Sequence, residues 1–216
     1  MADFAVIGLG RFGRAVARHL TREGQAVLAV DLDEERLGLV VHEVEGTAAT
    51  DTTSEEAVAA LRLERMAGVV VAIGPRATEA SILTTAILRE LEVPRIVARA
   101  FDDRHSRLLF AMGAHEVLNP EEESGERLAL HMAYPTIVDQ LQLGEATIAE
   151  IEAPEAFVGR HIESLDLRRQ FLVTLLAIRR QERTHSNPAA DDEIESGDVL
   201  VLLGSADAIR AIAALR

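Results

Sequence analysis

The chain lacks cysteine entirely, has only 3% aromatic residues, and contains no lysine: all 22 basic residues among its 216 are arginine. Without cysteine there are no disulfides and no thiol chemistry. Without lysine there is no P-loop lysine, no Schiff-base lysine and no Tyr-x-x-x-Lys pair of the short-chain dehydrogenases. No apolar run approaches the roughly 20 residues of a membrane span, and the N-terminus shows no basic region leading into a long apolar one. The chain is therefore read as soluble and cytoplasmic. Its net charge of −14 argues against a nucleic-acid partner, which calls for a basic face.

What is present is aliphatic. Apolar residues make up 48% of the chain, and the scarcity of aromatics leaves Val, Ile, Leu and Ala to form the core. Such residues suit buried parallel strands and their covering helices. The most informative run is Phe4-Ala-Val-Ile-Gly-Leu-Gly-Arg-Phe-Gly13. A short apolar strand feeds Gly8-x-Gly10-x-x-Gly13, a helical pattern follows, and a second strand, Ala26 to Asp31, ends in an acid. In this order Gly8 permits a tight turn, Gly10 lets backbone approach a pyrophosphate, and Gly13 lets helix and strand pack closely. The helix start favours a phosphate, and Asp31 stands where a ribose hydroxyl is gripped. Arg11, between the glycines, can fork onto phosphate oxygens. The negative charge of Asp31 would repel a 2′-phosphate, so NADP is disfavoured. Asp31→Ala is expected to remove nucleotide binding and leave the fold intact.

Strand and helix signals alternate over the first 118 or so residues. Further strands are expected near 47–50, 69–73, 96–100 and 116–118. Ser54 reads as an N-cap before Glu55 and Glu56, and Pro94 blocks extension of a helix reaching about Leu91. This alternation predicts a Rossmann-like, doubly wound parallel sheet. After Asn119-Pro120 a long helical stretch is expected over 121–143, interrupted by Pro135 and carrying Leu128, Met132, Ile137, Val138 and Leu141. The remainder reads as a small α+β lobe with strands at 147–151, 173–178 and 199–203, a polar loop at 183–192 and a final helix from Ala206. The resulting division is 1–120, 121–143 and 144–216. Ile73, Gly74 and Pro75 follow the fourth strand, so their backbone should face the crevice at the strand ends. Asp51 and Thr52 form either a polar turn leading into the Ser54 cap or part of the ligand site. Glu121 to Glu123 read on their own as a solvated helix start.

Beyond the opening run, Val27-Leu-Ala-Val-Asp31, Val69-Val-Val-Ala-Ile-Gly74, Gly113-Ala114 leading to Asn119-Pro-Glu121, Pro188, and Gly197-Asp-Val-Leu-Val-Leu-Leu-Gly204 complete a pattern that covers essentially the whole chain. It resembles the RCK proteins, regulators of potassium conductance, of the KtrA/TrkA type. The resemblance implies a nucleotide-sensing regulatory subunit with no catalysis of its own. Such a subunit binds ATP or ADP in the N-lobe and pairs through the crossover helix. Its homodimers assemble into an octameric ring on a KtrB/TrkH-like membrane potassium-translocating subunit, peripheral to the inner face of the membrane. It further implies that Gly8, Leu9, Gly10, Arg11, Phe12 and Gly13 surround the phosphates. Asp31, Leu32, Asp33 and Arg36 would flank ribose and adenine, Asp51 and Thr52 would meet the adenine, and Arg99, Ala100, Phe101 and His105 would form the segment after the fifth strand. Glu121 would stand near the terminal phosphate and Mg2+ or another divalent cation. Some relatives bind cyclic di-AMP in the region of Ile162, Leu167 and Arg168, where Glu163 departs from an apolar pattern. The alternatives are a regulator of a cation/proton antiporter, or an NAD-dependent oxidoreductase using NAD/NADH. The small second lobe and the lack of a recognisable proton donor stand against the last.

Overall fold

The computed structural model describes residues 2–215. They form two units, 2–123 and 124–215. In the first, strands β1 (Phe4–Ile7), β2 (Val27–Asp31), β3 (Gly46–Ala49), β4 (Gly68–Val71), β5 (Ile96–Arg99) and β6 (Glu116–Leu118) alternate with helices α1 (Arg11–Arg22), α2 (Glu34–Gly38), α3 (Glu55–Ala60), α4 (Thr78–Glu90) and α5 (Asp103–Ala111). All strand pairs are parallel, in the order β3-β2-β1-β4-β5-β6. Parallel strands covered on both faces read as apolar runs, and the two faces carry separate cores. Ala5, Ile7, Val69 and Val71 pack on one side with Leu88 and Leu109; Val6, Ala29 and Ala72 pack on the other with Leu9, Ala17 and Leu37. Between β1 and β4 the chain reverses its direction of travel across the sheet. Crevices at such switch points, beyond the strands' carboxyl ends, are where ligands bind in open α/β sheets.

Local signals set the helix starts. The side chains of Asp33, Ser54 and Asp102 accept from the backbone N–H groups of Glu35, Ala57 and His105. Helix α1 is different. Its N-cap is Gly10, no side chain caps it, and its first turn holds no acid. The N–H groups of that first turn therefore point outward without a protein acceptor of their own element.

Helix α6 (Pro120–Ala133) is shorter than the helix expected over 121–143. Residues Ile137–Leu143 instead form strand β7, joined through Gly144 and Glu145 to an antiparallel partner, β8 (Ala146–Glu152). The cause is Pro135, which cannot donate to a helix and disfavours helical backbone at the residue before it. The second unit contains a five-stranded antiparallel sheet. It comprises β7, β8, β9 (Thr174–Arg180), β10 (Arg183–Ser186) and β11 (Val199–Gly204), in the order β10-β9-β11-β8-β7. Strand β10 lies inside the segment read as a polar loop. All four of its residues are exposed, so no apolar alternation marked it. Short helices α7 (Ile162–Leu165) and α8 (Leu167–Gln170) and helix α9 (Ala206–Ala213) complete this lobe around Ile151, Leu165, Ile194, Leu200 and Ile209. No helix among the described residues is long and apolar enough to cross a membrane.

Candidate nucleotide site

A cavity of about 580 Å³ opens at the β1–β4 switch point. Its wall is the turn after β1, the end of β2, the loop after β3 and the turn after β4. Gly8, Gly10, Arg11, Asp31, Leu32, Arg36, Asp51, Thr52, Ile73, Gly74, Pro75 and Arg99 all line it.

The three glycines do different things. Gly8 sits at φ +90°, and a Cβ there would lie 2.9 Å from the Ala72 carbonyl carbon and the Ile73 nitrogen. A Cβ on Gly13 would fall 1.9 Å from the Gly8 carbonyl oxygen, so α1 can lie this close to the loop only with glycine. Gly10 has nothing within 4 Å of such a Cβ. Its missing side chain serves no protein packing and leaves the first turn of α1 open on the cavity side, which suits a phosphate.

Asp31 is only 7% exposed. Its Oδ2 accepts from the Leu9 backbone N–H at 2.6 Å and its Oδ1 from the Asp33 N–H at 2.9 Å. The Arg36 guanidinium stands 3.5 Å from Oδ2. Two carboxylate oxygens offer about four acceptor positions, so capacity for a ribose hydroxyl remains. Across the cavity, Thr52 is buried against α4. Its hydroxyl lies 2.8 Å from the Thr84 hydroxyl, which also donates to the Thr52 carbonyl. Asp51 is exposed and accepts from the Thr53 hydroxyl and N–H, bonds that hold its carboxyl below the usual carboxylate value.

The charge of the lining exceeds what the glycine motif announces. Arg14 and Arg76 join Arg11, Arg36 and Arg99, so five guanidiniums face two carboxylates, Asp31 and Asp51. Arg14 is fixed by donating to the Leu9 carbonyl at 2.8 Å. Among the described residues, neither Arg11 nor Arg76 has an ion-pair partner. Both added arginines were legible. Arg14 lies one helical turn beyond Arg11, and Arg76 directly follows the Gly74-Pro75 turn.

Other expected residues do not line the cavity. Leu9 and Ala100 are buried in the core. Phe12 lies under Arg99, whose guanidinium carbon is 5.5 Å from its ring centroid. Asp33 caps α2. Glu121, on the first turn of α6, pairs with Arg99. Phe101 and His105 stack with ring centroids 4.1 Å apart. His105 is 2% exposed and neither ring nitrogen has a partner. Burial pushes its pKa below the ordinary imidazole value, only partly opposed by the negative charge of Asp102. In the second unit, Ile162 starts α7, while Leu167 is buried in the core and Arg168 follows it on α8.

Residues 4–120 match the TrkA-N domain and residues 146–216 the TrkA-C domain. The chain is 35% identical over 204 residues to the Ktr system potassium uptake protein C of Bacillus subtilis, covering 94% of this chain and 92% of that one. It is 33% identical to the Ktr system potassium uptake protein A of Vibrio alginolyticus over 206 residues, covering 95% and 93%. Among solved structures, the GsuK channel superposes with a TM-score of 0.72 at 18% identity, over 99% of this chain and 39% of the channel chain. A GsuK structure bound to NAD superposes at 0.67 with 15% identity, over 98% and 39%. The two matched domains, in this order and over nearly the full length of relatives at this level of identity, place the chain in the RCK family, among the TrkA-N/TrkA-C proteins that include Ktr system potassium uptake proteins A and C.

Proposed function

We propose that this chain is the nucleotide-sensing regulatory subunit of a membrane potassium-translocating system, with ATP and ADP as the ligands of the switch-point cavity. The observation that carries this reading is the charge of that cavity: five arginines converge on a glycine loop in a chain of net charge −14. A polyanion with a ribose fits that arrangement. Arg11, Arg76 and the α1 N–H groups take phosphate oxygens. Asp31 takes the ribose, and the Asp51–Thr52 loop bounds the base. Among the described residues no group of three acidic or histidine side chains is arranged to hold a metal. Magnesium commonly uses one or two carboxylates together with the phosphates of its substrate, so a cation here is held by the nucleotide with Glu121 as its protein ligand.

Regulation requires that each nucleotide favour one conformation over another, since a ligand shifts an equilibrium only by its differential affinity. The names of the relatives support potassium uptake as the regulated process. In this reading the chain works as a homodimer within an octameric ring, on the cytoplasmic face of a KtrB/TrkH-like translocating partner. NAD is the competing ligand, because Asp31 receives its free ribose diol equally well and GsuK, a structural neighbour, has been solved bound to NAD.

Calorimetric titration with ATP, ADP, NAD and NADP tests the reading. ATP and ADP should bind more tightly than NADP, which carries an added phosphate against Asp31; a preference for NADP overturns the assignment. Light scattering in ATP and then ADP should report a large oligomer, and a strict monomer in both would reject the ring.

A further inference from the structure

We infer that Arg99 is an exchange switch between the cavity and helix α6: it holds Glu121 in the arrangement described above and trades that carboxylate for a phosphate oxygen when a nucleotide enters. The inference rests on the reading of the cavity as a nucleotide site.

Four features meet at this one side chain. Arg99 ends β5 and lines the cavity. Its guanidinium lies over Phe12, inside the glycine loop, at 5.5 Å. Its Nη2 donates to Glu121. Its Nε is buried and has no acceptor. The side chain is thus fixed against the phosphate loop with part of its donor fork unused, and a buried N–H without an acceptor is unfavourable. Two oxygens of a phosphate can accept side by side from the planar fork of a guanidinium.

The two partners of the ion pair differ in environment. The Arg99 side chain is 12% exposed, whereas that of Glu121 is 61% exposed. On exchange, Arg99 stays where it is and Glu121 is released to water, which solvates it readily, or to a cation where the nucleotide carries one. The carboxylate lost is already largely in water, which screens the pair and keeps the loss small. Glu121 lies in the first turn of α6, directly after Pro120. Phosphate entry is in this way converted into the loss of a tether at the start of that helix. Without a cation, Glu121 competes with the nucleotide for Arg99, so removing its charge strengthens cation-free binding.

The test is calorimetric titration of the full chain with adenosine, AMP and ADP in EDTA, which takes any cation held by Glu121 out of the measurement. Wild type, Glu121→Gln, Arg99→Gln and the double variant are compared. Glu121→Gln should tighten ADP about two- to fivefold, the scale of an exposed ion pair, and leave adenosine unchanged. Arg99→Gln should weaken ADP about tenfold or more, as expected for loss of a charged hydrogen bond. Adding Glu121→Gln to it should then change nothing further. Arg99→Lys serves if the Gln variant does not fold; it keeps the charge, and the effect of Glu121→Gln should persist in that background. Weaker or unchanged ADP binding in Glu121→Gln, or strict additivity in the double variant, overturns the switch while leaving the nucleotide site standing. Failure of the wild type to bind any of the three ligands overturns both.

Discussion

The Leu9 backbone N–H donates a 2.6 Å hydrogen bond to Asp31 Oδ2, joining the glycine loop to the end of β2 between residues 22 positions apart. The acid that ends β2 is therefore both a candidate ribose ligand and a fixture of the loop. This changes what its removal should do. Asp31→Ala leaves the buried Leu9 N–H without an acceptor, so it should cost about 1–3 kcal/mol of stability as well as nucleotide affinity. Asp31→Asn, which keeps one acceptor oxygen, should lose less stability. Thermal melts with calorimetry separate the two effects; an Asp31→Ala protein as stable as wild type would show that the bond contributes nothing.

Gly10 and Gly13 should respond oppositely to alanine. At Gly13 the added methyl collides with the Gly8 carbonyl, so Gly13→Ala should destabilise by about 1–3 kcal/mol or more through overpacking. At Gly10 the methyl meets no protein atom and the backbone, at φ −61°, accepts alanine. Gly10→Ala should melt close to wild type yet bind ADP less tightly. A Gly10→Ala protein with unchanged affinity would mean that no ligand approaches this backbone.

His105 should make the fold sensitive to mild acid. The buried imidazole protonates below its ordinary value of 6.5, so between the two values the unfolded chain binds more protons than the folded one. Stability therefore rises with pH across that window and falls as pH drops below about 6.5. The melting temperature of wild type should fall more steeply from pH 7 to pH 5 than that of His105→Leu. Parallel slopes would contradict this.

Asp198 in the second unit is fully buried beneath Arg180. Burial alone would raise its pKa. The Arg180 hydrogen bonds at 2.8 and 2.9 Å, the Glu195 N–H and the Arg180 charge outweigh that and hold the carboxyl below 3.8. Its contribution is present above the unfolded value and lost as pH falls through the folded one. Asp198→Asn should destabilise the lobe by about 1–3 kcal/mol at neutral pH, with the difference from wild type shrinking in strong acid. Equal melting temperatures at pH 7 would sink the prediction.

The sequence was most readable where several constraints coincide. Phe4 to Asp31 combines an apolar strand, spaced glycines and a terminal acid, and each demands the same βαβ geometry. It was least readable where one period imitates another. Ile137 and Leu141 repeat, beyond Pro135, the i, i+4 spacing of Leu128 and Met132, although Gln140 to Leu143 also alternates as an edge strand does. Pro135 is what separates them, since it ends a helix but not an edge strand. No local pattern marks His105 as buried; its four-residue spacing from Phe101, just ahead of α5, is what allows the two rings to stack. The Arg99–Glu121 pair joins residues 22 apart through sheet topology, and no local pattern displays such a contact.

The arginine lining has a last consequence that follows from the missing lysine. A guanidinium keeps its charge at any pH the fold survives, whereas the carboxylates that make the rest of the molecule negative do not. At neutral pH the cavity is a positive well in a negative body, a contrast that draws anions toward it. As acid neutralises the surroundings the well persists but the contrast around it fades. The protein's ability to direct anions to this cavity is thus set by its acidic surface as much as by the arginines themselves.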